Sequence, residues 1–218
     1  MYDKLLLNAL KDALDPEKYQ ELLKHLNLDK LYSTCQETAF KAGLEAVKFM
    51  NIGNFNYHNV YAVTCYDKEG NLKWEDSVEN IVTDAGLVHS LDVVLSAGTQ
   101  ITSWYLGLFD TAPNVVFGST MAAKGGTEFT EYANATRPAL TIGAASASSP
   151  GATLSATQVS FSINTNAVTC GGAFITDSSA KSGTTGLLYG GAAFTGGDKA
   201  LDDGDTLNVD VTVNASSS

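Results

Sequence analysis

The segment Thr206-Leu207-Asn208-Val209-Asp210-Val211-Thr212-Val213 decides the fold class of this chain. Its apolar and polar residues alternate one by one, which is the period of a β-strand with one buried face and one face in water. The segment Gln158-Val159-Ser160-Phe161-Ser162-Ile163-Asn164 repeats the pattern. Half-buried strands separated by Gly, Ser and Asn predict a mainly β protein, an antiparallel β-sandwich or jelly roll.

Further apolar segments at short intervals extend this prediction toward the N-terminus. Residues 101–109 are apolar on both faces from Trp104 onward, as expected of a strand that is buried on both sides. Residues 60–66 and 72–74 flank the turn sequence Asp-Lys-Glu-Gly-Asn and predict a hairpin. Additional strands are predicted at residues 172–176, 187–189 and 192–195.

One helix is predicted inside the β-rich region, at Asp84–Leu95. Thr83 precedes it and has the side chain of a helix N-cap. Leu87, Leu91 and Val94 recur at helical spacing and therefore share one face. The segment is expected to form a short amphipathic helix.

Residues 1–53 have the pattern of amphipathic α-helices. Asp15-Pro16-Glu17 places an N-cap aspartate before a proline at the first helical position, and leucines 22, 23 and 26 then fall on one face. Helices this short cannot bury their apolar stripes alone. The sequence therefore predicts two parts: a helical N-terminal arm or accessory domain at 1–53, and a β-sandwich, jelly-roll-like body at 54–218.

The segment between Pro138 and Gly197 carries only two charged residues, Asp177 and Lys181. Its many Gly, Ala, Ser and Thr residues would also fit a linker. Apolar residues at strand-like intervals, such as Val159 and Phe161, favour folded strands instead. A weakly charged β-surface of this kind suits contact with other protein subunits, because interface cores are depleted of charge.

Net charge and cysteine content limit the classes of partner. The 218 residues carry a net charge of −11, so phosphate backbones and anionic membrane surfaces repel the chain, and neither nucleic acid nor membrane is expected as a partner. The first residues do not resemble a signal peptide. Cys35, Cys65 and Cys170 are odd in number and far apart, which predicts reduced thiols in a protein assembled in cytoplasm.

No sequence motif for catalysis is present, and the chain is predicted not to be an enzyme, with no catalytic, cofactor-binding or metal-binding residues and no cofactor. His25, His58 and His89 have no metal-ligand spacing, and surface or core-edge roles are expected for them. His58 and Cys65 are seven residues apart, so on one strand they point to opposite faces and cannot form a Cys–His nucleophile there. Only residues brought together by the fold would create an active site.

The densest acidic cluster comprises Asp198, Asp202, Asp203 and Asp205. Carboxylates on a glycine-containing turn are ligands that calcium uses. The spacing of an EF-hand and its closing glutamate are absent, so a solvated turn before the last strand is the favoured interpretation. Calcium binding stays open as the alternative.

Arg137 is the single arginine of the chain. We predict that it pairs with Glu128 or Glu131 as a structural clamp, because no second basic residue nearby supports anion binding. Trp104, Tyr105 and Tyr132 are predicted to be core residues, since large aromatic residues within strands are usually buried. A sugar-binding platform is the alternative for these aromatic side chains.

Several segments together resemble structural proteins of tailed-bacteriophage and prophage virions. The resemblance spans about residues 57–215 and rests on residues 80–87 (Asn-Ile-Val-Thr-Asp-Ala-Gly-Leu), 104–110 (Trp-Tyr-Leu-Gly-Leu-Phe-Asp), 131–132 with 135–139 (Glu-Tyr, Ala-Thr-Arg-Pro-Ala), 171–175 (Gly-Gly-Ala-Phe-Ile) and 196–207. It implies a virion protein without catalysis, similar to capsid decoration (cement) proteins. The expected location is the outer capsid surface, after assembly in the host cytoplasm. The expected partners are the major capsid protein and copies of the chain itself, as a homotrimer.

Two other functions remain as alternatives. A receptor- or glycan-binding module of a phage head or tail fibre would present Trp104, Tyr132 or the glycine-rich loops after Gly183 and Gly190 to a host surface. A virion hydrolase that degrades host surface polymers is less favoured, because the sequence lacks a paired-carboxylate signature. For residues 1–53, the sequence leaves open whether they bind the capsid or cover the edge of the sandwich.

Overall fold

The computed structural model describes Asp15, residues 55–149 and residues 151–217. The predicted helical segment 1–53 lies outside this part except for Asp15, and the domain boundary stays a prediction. The described part is mainly β, and the strand pairs of its sheets are antiparallel, which confirms the coarse fold class. Its elements are β1 (Phe55–Tyr66), β2 (Leu72–Glu79), β3 (Ile81–Val82), α1 (Asp84–Leu95), β4 (Trp104–Phe109), β5 (Glu128–Phe129), β6 (Ala139–Leu140), β7 (Ser146–Ala147), β8 (Ala152–Ser155), β9 (Val159–Ser162), β10 (Val168–Cys170), β11 (Gly172–Thr176), β12 (Leu188–Ala193), β13 (Lys199–Leu201) and β14 (Thr206–Ser217).

The first six-stranded sheet is built around β1 and β14. These two strands pair along their whole lengths, from Phe55 opposite Ser217 to Tyr66 opposite Thr206. The sheet order is β2-β1-β14-β8-β7, and β9 also pairs with β14. The alternation predicted for residues 206–213 is confirmed, because Leu207, Val209 and Val211 are buried while the polar residues between them are half-buried.

The second six-stranded sheet has the order β3-β12-β11-β4-β5, with β6 also paired with β4. Both faces of strand β4 are apolar, and each face is covered by buried side chains. Leu106 and Leu108 belong to the main core, whereas Phe109 packs with Met121 and Phe174 in a smaller cluster on the other side. A separate two-stranded sheet joins β10 and β13.

A single large hydrophobic core contains buried side chains from both six-stranded sheets. The first sheet contributes Tyr61, Val63 and Phe161, and the second contributes Leu106 and Ile175. Each of these side chains is at most 3% exposed, so the core excludes water from both sheets. This burial is the main favourable term in the folding of the body.

The predicted hairpin of β1 and β2 is confirmed. Asp67 Oδ1 accepts hydrogen bonds from the backbone N–H groups of Glu69 and Asn71, at 3.0 and 2.8 Å. Gly70 adopts a positive φ of 86°, which a residue without Cβ reaches at low cost. The second strand extends beyond the predicted residues, to Glu79.

Strand β12 differs from the prediction, which divided its residues between strands at 187–189 and 192–195. The structure has one continuous strand, Leu188–Ala193. Gly190 and Gly191 pair with Val82 and Ile81 of β3, and a Cβ atom on Gly190 would lie 2.5 Å from the carbonyl oxygen of Ile81. The two glycines therefore permit a close backbone approach inside the strand, at a position where the sequence alone predicts a break between two strands.

Helix α1 has the predicted bounds and N-cap. Thr83 Oγ1 accepts a hydrogen bond from the N–H of Gly86 at 3.1 Å. The side that contacts the body is centred on buried Gly86, whose backbone lies against Tyr189, whereas Leu91 and Val94 are exposed. The helix thus packs through its smallest residue, and much of its apolar surface faces outward.

We predict that Gly86→Ala lowers the free energy of unfolding. The added Cβ would lie 2.5 Å from the Tyr189 carbonyl oxygen, so either α1 or β12 must move to accommodate it. Overpacking costs about 1–3 kcal/mol, more than the roughly 1 kcal/mol that alanine gains in helix propensity. Urea unfolding measures the difference, with Gly118→Ala as control because a Cβ atom added at Gly118 would have no neighbouring atom within 4 Å. Equal or higher stability of Gly86→Ala would contradict this packing.

Candidate functional site

The outward side of α1 is the most prominent apolar surface of the described residues. Eight large apolar side chains in this part are exposed, and four of them lie on α1: Val88 (58%), Leu91 (56%), Val94 (77%) and Leu95 (79%). We call these four residues the α1 surface. Exposed apolar residues that cluster on one element mark interaction sites, whereas scattered ones need no explanation.

An apolar groove of about 330 Å³ lies beside α1. We call it the α1 groove. Val94 belongs both to the α1 surface and to the wall of the groove, and Ile142, which is also exposed, lines the groove as well. The residues that line it include no Asp, Glu, Lys or Arg and are Tyr57, His89, Ser90, Val93, Val94, Gln100, Ile101, Trp104, Leu140, Ile142, Leu154, Ala156, Ile175, Tyr189, Val211 and Val213.

Aromatic side chains form one part of the groove lining. The ring of Tyr189 makes edge contacts with Trp104 at 5.1 Å and with Tyr57 at 6.3 Å between centroids. His89 also makes an edge contact with Trp104, at 5.8 Å between centroids. The Tyr189 hydroxyl donates a hydrogen bond to the Tyr57 hydroxyl, and burial raises the pKa of Tyr189 above its ordinary value. Tyr189 is therefore neutral at physiological pH and adds no charge to the lining of the groove.

The predicted aromatic residues have three different environments. Tyr132 is 1% exposed and packs edge-on against Phe161 at 4.9 Å, which confirms it as a core residue. Trp104 is half-buried and lines the α1 groove, and Tyr105 lines an adjacent, more polar hollow. A surface platform that contains both Trp104 and Tyr132 is incompatible with the burial of Tyr132.

Arg137 forms the predicted structural clamp, and its partner is Glu128. Nε and Nη2 donate to the two carboxylate oxygens at 2.8 and 2.6 Å. Nη1 and Nη2 also donate to the backbone carbonyls of Ser178 and Gly183. Arg137 is 1% exposed, so this cation is fully used in holding the loop between β11 and β12 and offers no anion site.

The acidic cluster before β14 is organised by a lysine. Lys73 Nζ lies 3.1 Å from Asp202 Oδ2 and 2.6 Å from Asp205 Oδ2. Asp198 is used elsewhere, where Oδ1 accepts a hydrogen bond from the N–H of Ala112. In the part of the chain that the structure describes, no group of three or more His, Cys, Asp or Glu side chains is placed to hold a metal ion.

The described histidines and cysteines are distributed over β1, α1 and β10. His58 is half-buried on β1, and His89 lies on α1. Cys65 and Cys170 are unpaired by disulfides, and burial raises the pKa of each thiol to about 12. Such thiols are protonated at physiological pH and are poor nucleophiles. His25 and Cys35 lie outside the described residues.

Comparison with family models, curated proteins and solved structures gives no match in any of the three searches. Among the helices of the described residues, none has the length and apolar character needed to cross a bilayer.

The α1 surface and the α1 groove were not predicted from the sequence. One signal was available, since Val88 and Leu95 adjoin the predicted face of Leu87, Leu91 and Val94 and widen the apolar stripe of the helix. A helix of that kind must be covered more completely than one face of a sheet can achieve. The groove itself depends on residues of α1 and both sheets, and has no local sequence signature.

We predict that Arg137→Met destabilises the protein by about 3–5 kcal/mol, the usual cost of leaving one member of a buried ion pair uncompensated. Urea unfolding provides the measurement. Replacing both partners, as in Arg137→Met with Glu128→Leu, should recover part of the loss. Lys124→Met is the control: Arg137 and Lys124 both lie over the Phe174 ring, at 5.3 and 6.0 Å, but Lys124 forms no ion pair with a buried carboxylate among the described residues. A loss below about 1 kcal/mol for Arg137→Met would contradict the structural role.

A second prediction concerns acid stability. The Lys73 ammonium and hydrogen bonds lower the pKa of Asp202 below its ordinary value of 3.8. The lowered pKa contributes stability that is present above pH 3.8 and is lost as the pH falls through the folded-state pKa. Asp202→Asn should therefore be less stable than wild type at pH 7, and the difference should shrink on acidification. Asp203→Asn is the matched control, and an equal pH dependence in both variants would contradict the assignment.

Proposed function

We propose that this protein is a non-enzymatic phage capsid decoration, or cement, protein that binds the outside of the assembled shell and stabilises contacts between major capsid subunits. The observation that carries the proposal is the α1 surface beside the apolar α1 groove, an arrangement typical of a site that binds another protein. The resemblance of residues 57–215 to virion structural proteins indicates the class of partner. Binding to the assembled shell in preference to free subunits would stabilise the shell by mass action.

The proposed body is a β-sandwich of jelly-roll type. Support comes from the two six-stranded antiparallel sheets, whose buried side chains share one hydrophobic core. A body of this kind presents long strands and loops on its outside, and a protein that bridges neighbouring subunits needs such an extended and rigid surface. The helical residues 1–53 are proposed as an arm or accessory domain.

Lateral contact between copies, as a homotrimer, is part of the proposal. Between Pro138 and Gly197 the two charged side chains are engaged with backbone groups: Asp177 accepts from Leu187 N–H at 2.7 Å, and Lys181 donates to the Tyr132 carbonyl at 2.8 Å. This segment therefore adds little charge that would oppose contact with a second copy. Cyclic symmetry closes such an interface without leaving an unpaired edge.

The proposed location is the outer capsid surface, after assembly in the host cytoplasm. A net charge of −11 favours solubility there, away from packaged DNA, and disfavours nucleic acid and anionic membranes as partners. The unpaired Cys65 and Cys170 are in keeping with assembly in a reducing compartment.

A receptor- or glycan-binding module of a head or tail fibre is the second candidate function. The hollow next to the α1 groove favours it, since Gln100, Thr102, Ser103, Tyr105 and Thr141 line this hollow and offer hydrogen-bonding groups beside an aromatic ring. Sugars bind to such combinations of polar groups and aromatic faces.

We predict that the purified protein binds mature, undecorated capsids at saturation with copy numbers on the order of hundreds per particle, since weak contacts suffice when many copies are arranged on one shell. Co-sedimentation with quantified band intensities measures the occupancy, and thermal disruption of the particles measures stabilisation. Bovine serum albumin, an acidic protein without the proposed surface, is the control for trapping in the pellet. Binding of only a few copies, or none, would contradict the decoration function and favour a fibre module.

A further inference from the structure

The apolar surface at α1 is larger than a small ligand would cover. The helix has twelve residues, about 18 Å at 1.5 Å per residue, and its exposed side chains extend from Val88 to Leu95. Val94 connects this outward face to the α1 groove. A small molecule in the groove would leave Val88, Leu91 and Leu95 in water. A second helix laid along α1 would cover the surface and the groove together.

The charges on α1 define what kind of helix fits. Asp84 and Asp92 are exposed on the same helix, and Asp84–Leu95 contains no lysine or arginine. The C-terminal end of α1, next to Leu95, carries the negative end of the helix dipole and has no basic residue in its last turn. Contact between two copies of α1 would bring aspartates together without a lysine or arginine to pair them. A partner with lysine or arginine beside its apolar face would gain from each of these features.

The α1 groove provides the place for an anchor side chain. Its volume of about 330 Å³ exceeds that of a single large side chain, its lining has no Asp, Glu, Lys or Arg, and the rings of Trp104 and Tyr189 form part of it. Interfaces usually depend on a few large apolar side chains inserted into such hollows.

We propose that the α1 surface and the α1 groove bind an amphipathic helix of a partner protein, whose apolar face is flanked by Lys or Arg and inserts one bulky side chain into the groove. This inference rests on the proposed function only in taking the occupant to be a protein. It names the chemistry of the binding segment and the surface that receives it, and it does not require the partner to be a capsid protein.

The direct test uses a defined probe, a fluorescently labelled fifteen-residue peptide with leucines on one helical face and lysines beside them. A second peptide keeps the leucines and replaces each lysine with glutamate. Fluorescence anisotropy with the full chain should show binding of the lysine peptide and at least tenfold weaker binding of the glutamate peptide. No binding of the lysine peptide, or equal binding of both peptides, overturns the proposal.

Variants of the full chain locate the binding site. Leu91→Ser with Leu95→Ser should weaken binding of the lysine peptide at least tenfold while leaving the net charge unchanged. Asp84→Asn with Asp92→Asn should weaken binding and reduce its dependence on salt. Leu72→Ser is the matched control, since Leu72 is 52% exposed on β2, and it should bind as wild type does. Urea unfolding checks that each variant is folded. Equal affinity of wild type and the Leu91→Ser, Leu95→Ser variant overturns the proposal.

The same variants on capsids separate this inference from the proposed function. If wild type and the Leu91→Ser, Leu95→Ser variant decorate capsids equally, the decoration function stands and the use of the α1 surface against the capsid is wrong. If wild type fails to decorate capsids while the peptide differences are observed, the decoration function is wrong and the surface assignment stands. If wild type decorates capsids and the Leu91→Ser, Leu95→Ser variant does not, the result supports both the decoration function and the surface assignment.

Discussion

The pairing of β1 with β14 is the constraint on which the rest of the structure depends. The two strands exchange hydrogen bonds over their whole lengths and bring the start of the described region against its end. Their other edges then receive β2 on one side and β8 and β9 on the other. Because side chains alternate along a strand, a shift of this register by one residue would turn Val63 and Val209 from the core toward water.

The exposure of α1 follows from how the helix meets this framework. Gly86 brings the helix backbone against the Tyr189 carbonyl, and Thr83 fixes the first turn both by its N-cap bond and by donating to the carbonyl of Leu188. A helix held at its N-terminal end on its smallest residue leaves Leu91 and Leu95 turned away from the sheets. The exposed apolar surface is therefore a consequence of the packing at Gly86. In solution such a surface costs free energy through its contact with water, and a binding partner would recover that cost.

Local patterns predicted the elements of the fold better than their contacts. Alternation at residues 206–213, the Asp67–Gly70 turn and the Thr83 cap are each specified within a few residues, and the structure has all three. The role of Arg137 was predictable because a lone arginine near two glutamates has few alternative partners. The continuous strand through Gly190 and Gly191 was not predictable, because it depends on the approach of β3 from a distant part of the chain. The α1 groove was unpredictable for the same reason, since its walls come from α1 and both sheets.

The α1 surface is the proposed binding site for the partner of this protein. A cryo-electron microscopy reconstruction of capsids saturated with the protein tests this claim most directly, because strand-resolved density fixes the orientation of the body on the shell. We expect α1 to face the shell, with density from a capsid subunit over Leu91 and Leu95 and inside the groove beside Trp104. A bound body with α1 turned to solvent and another face on the shell would contradict the claim.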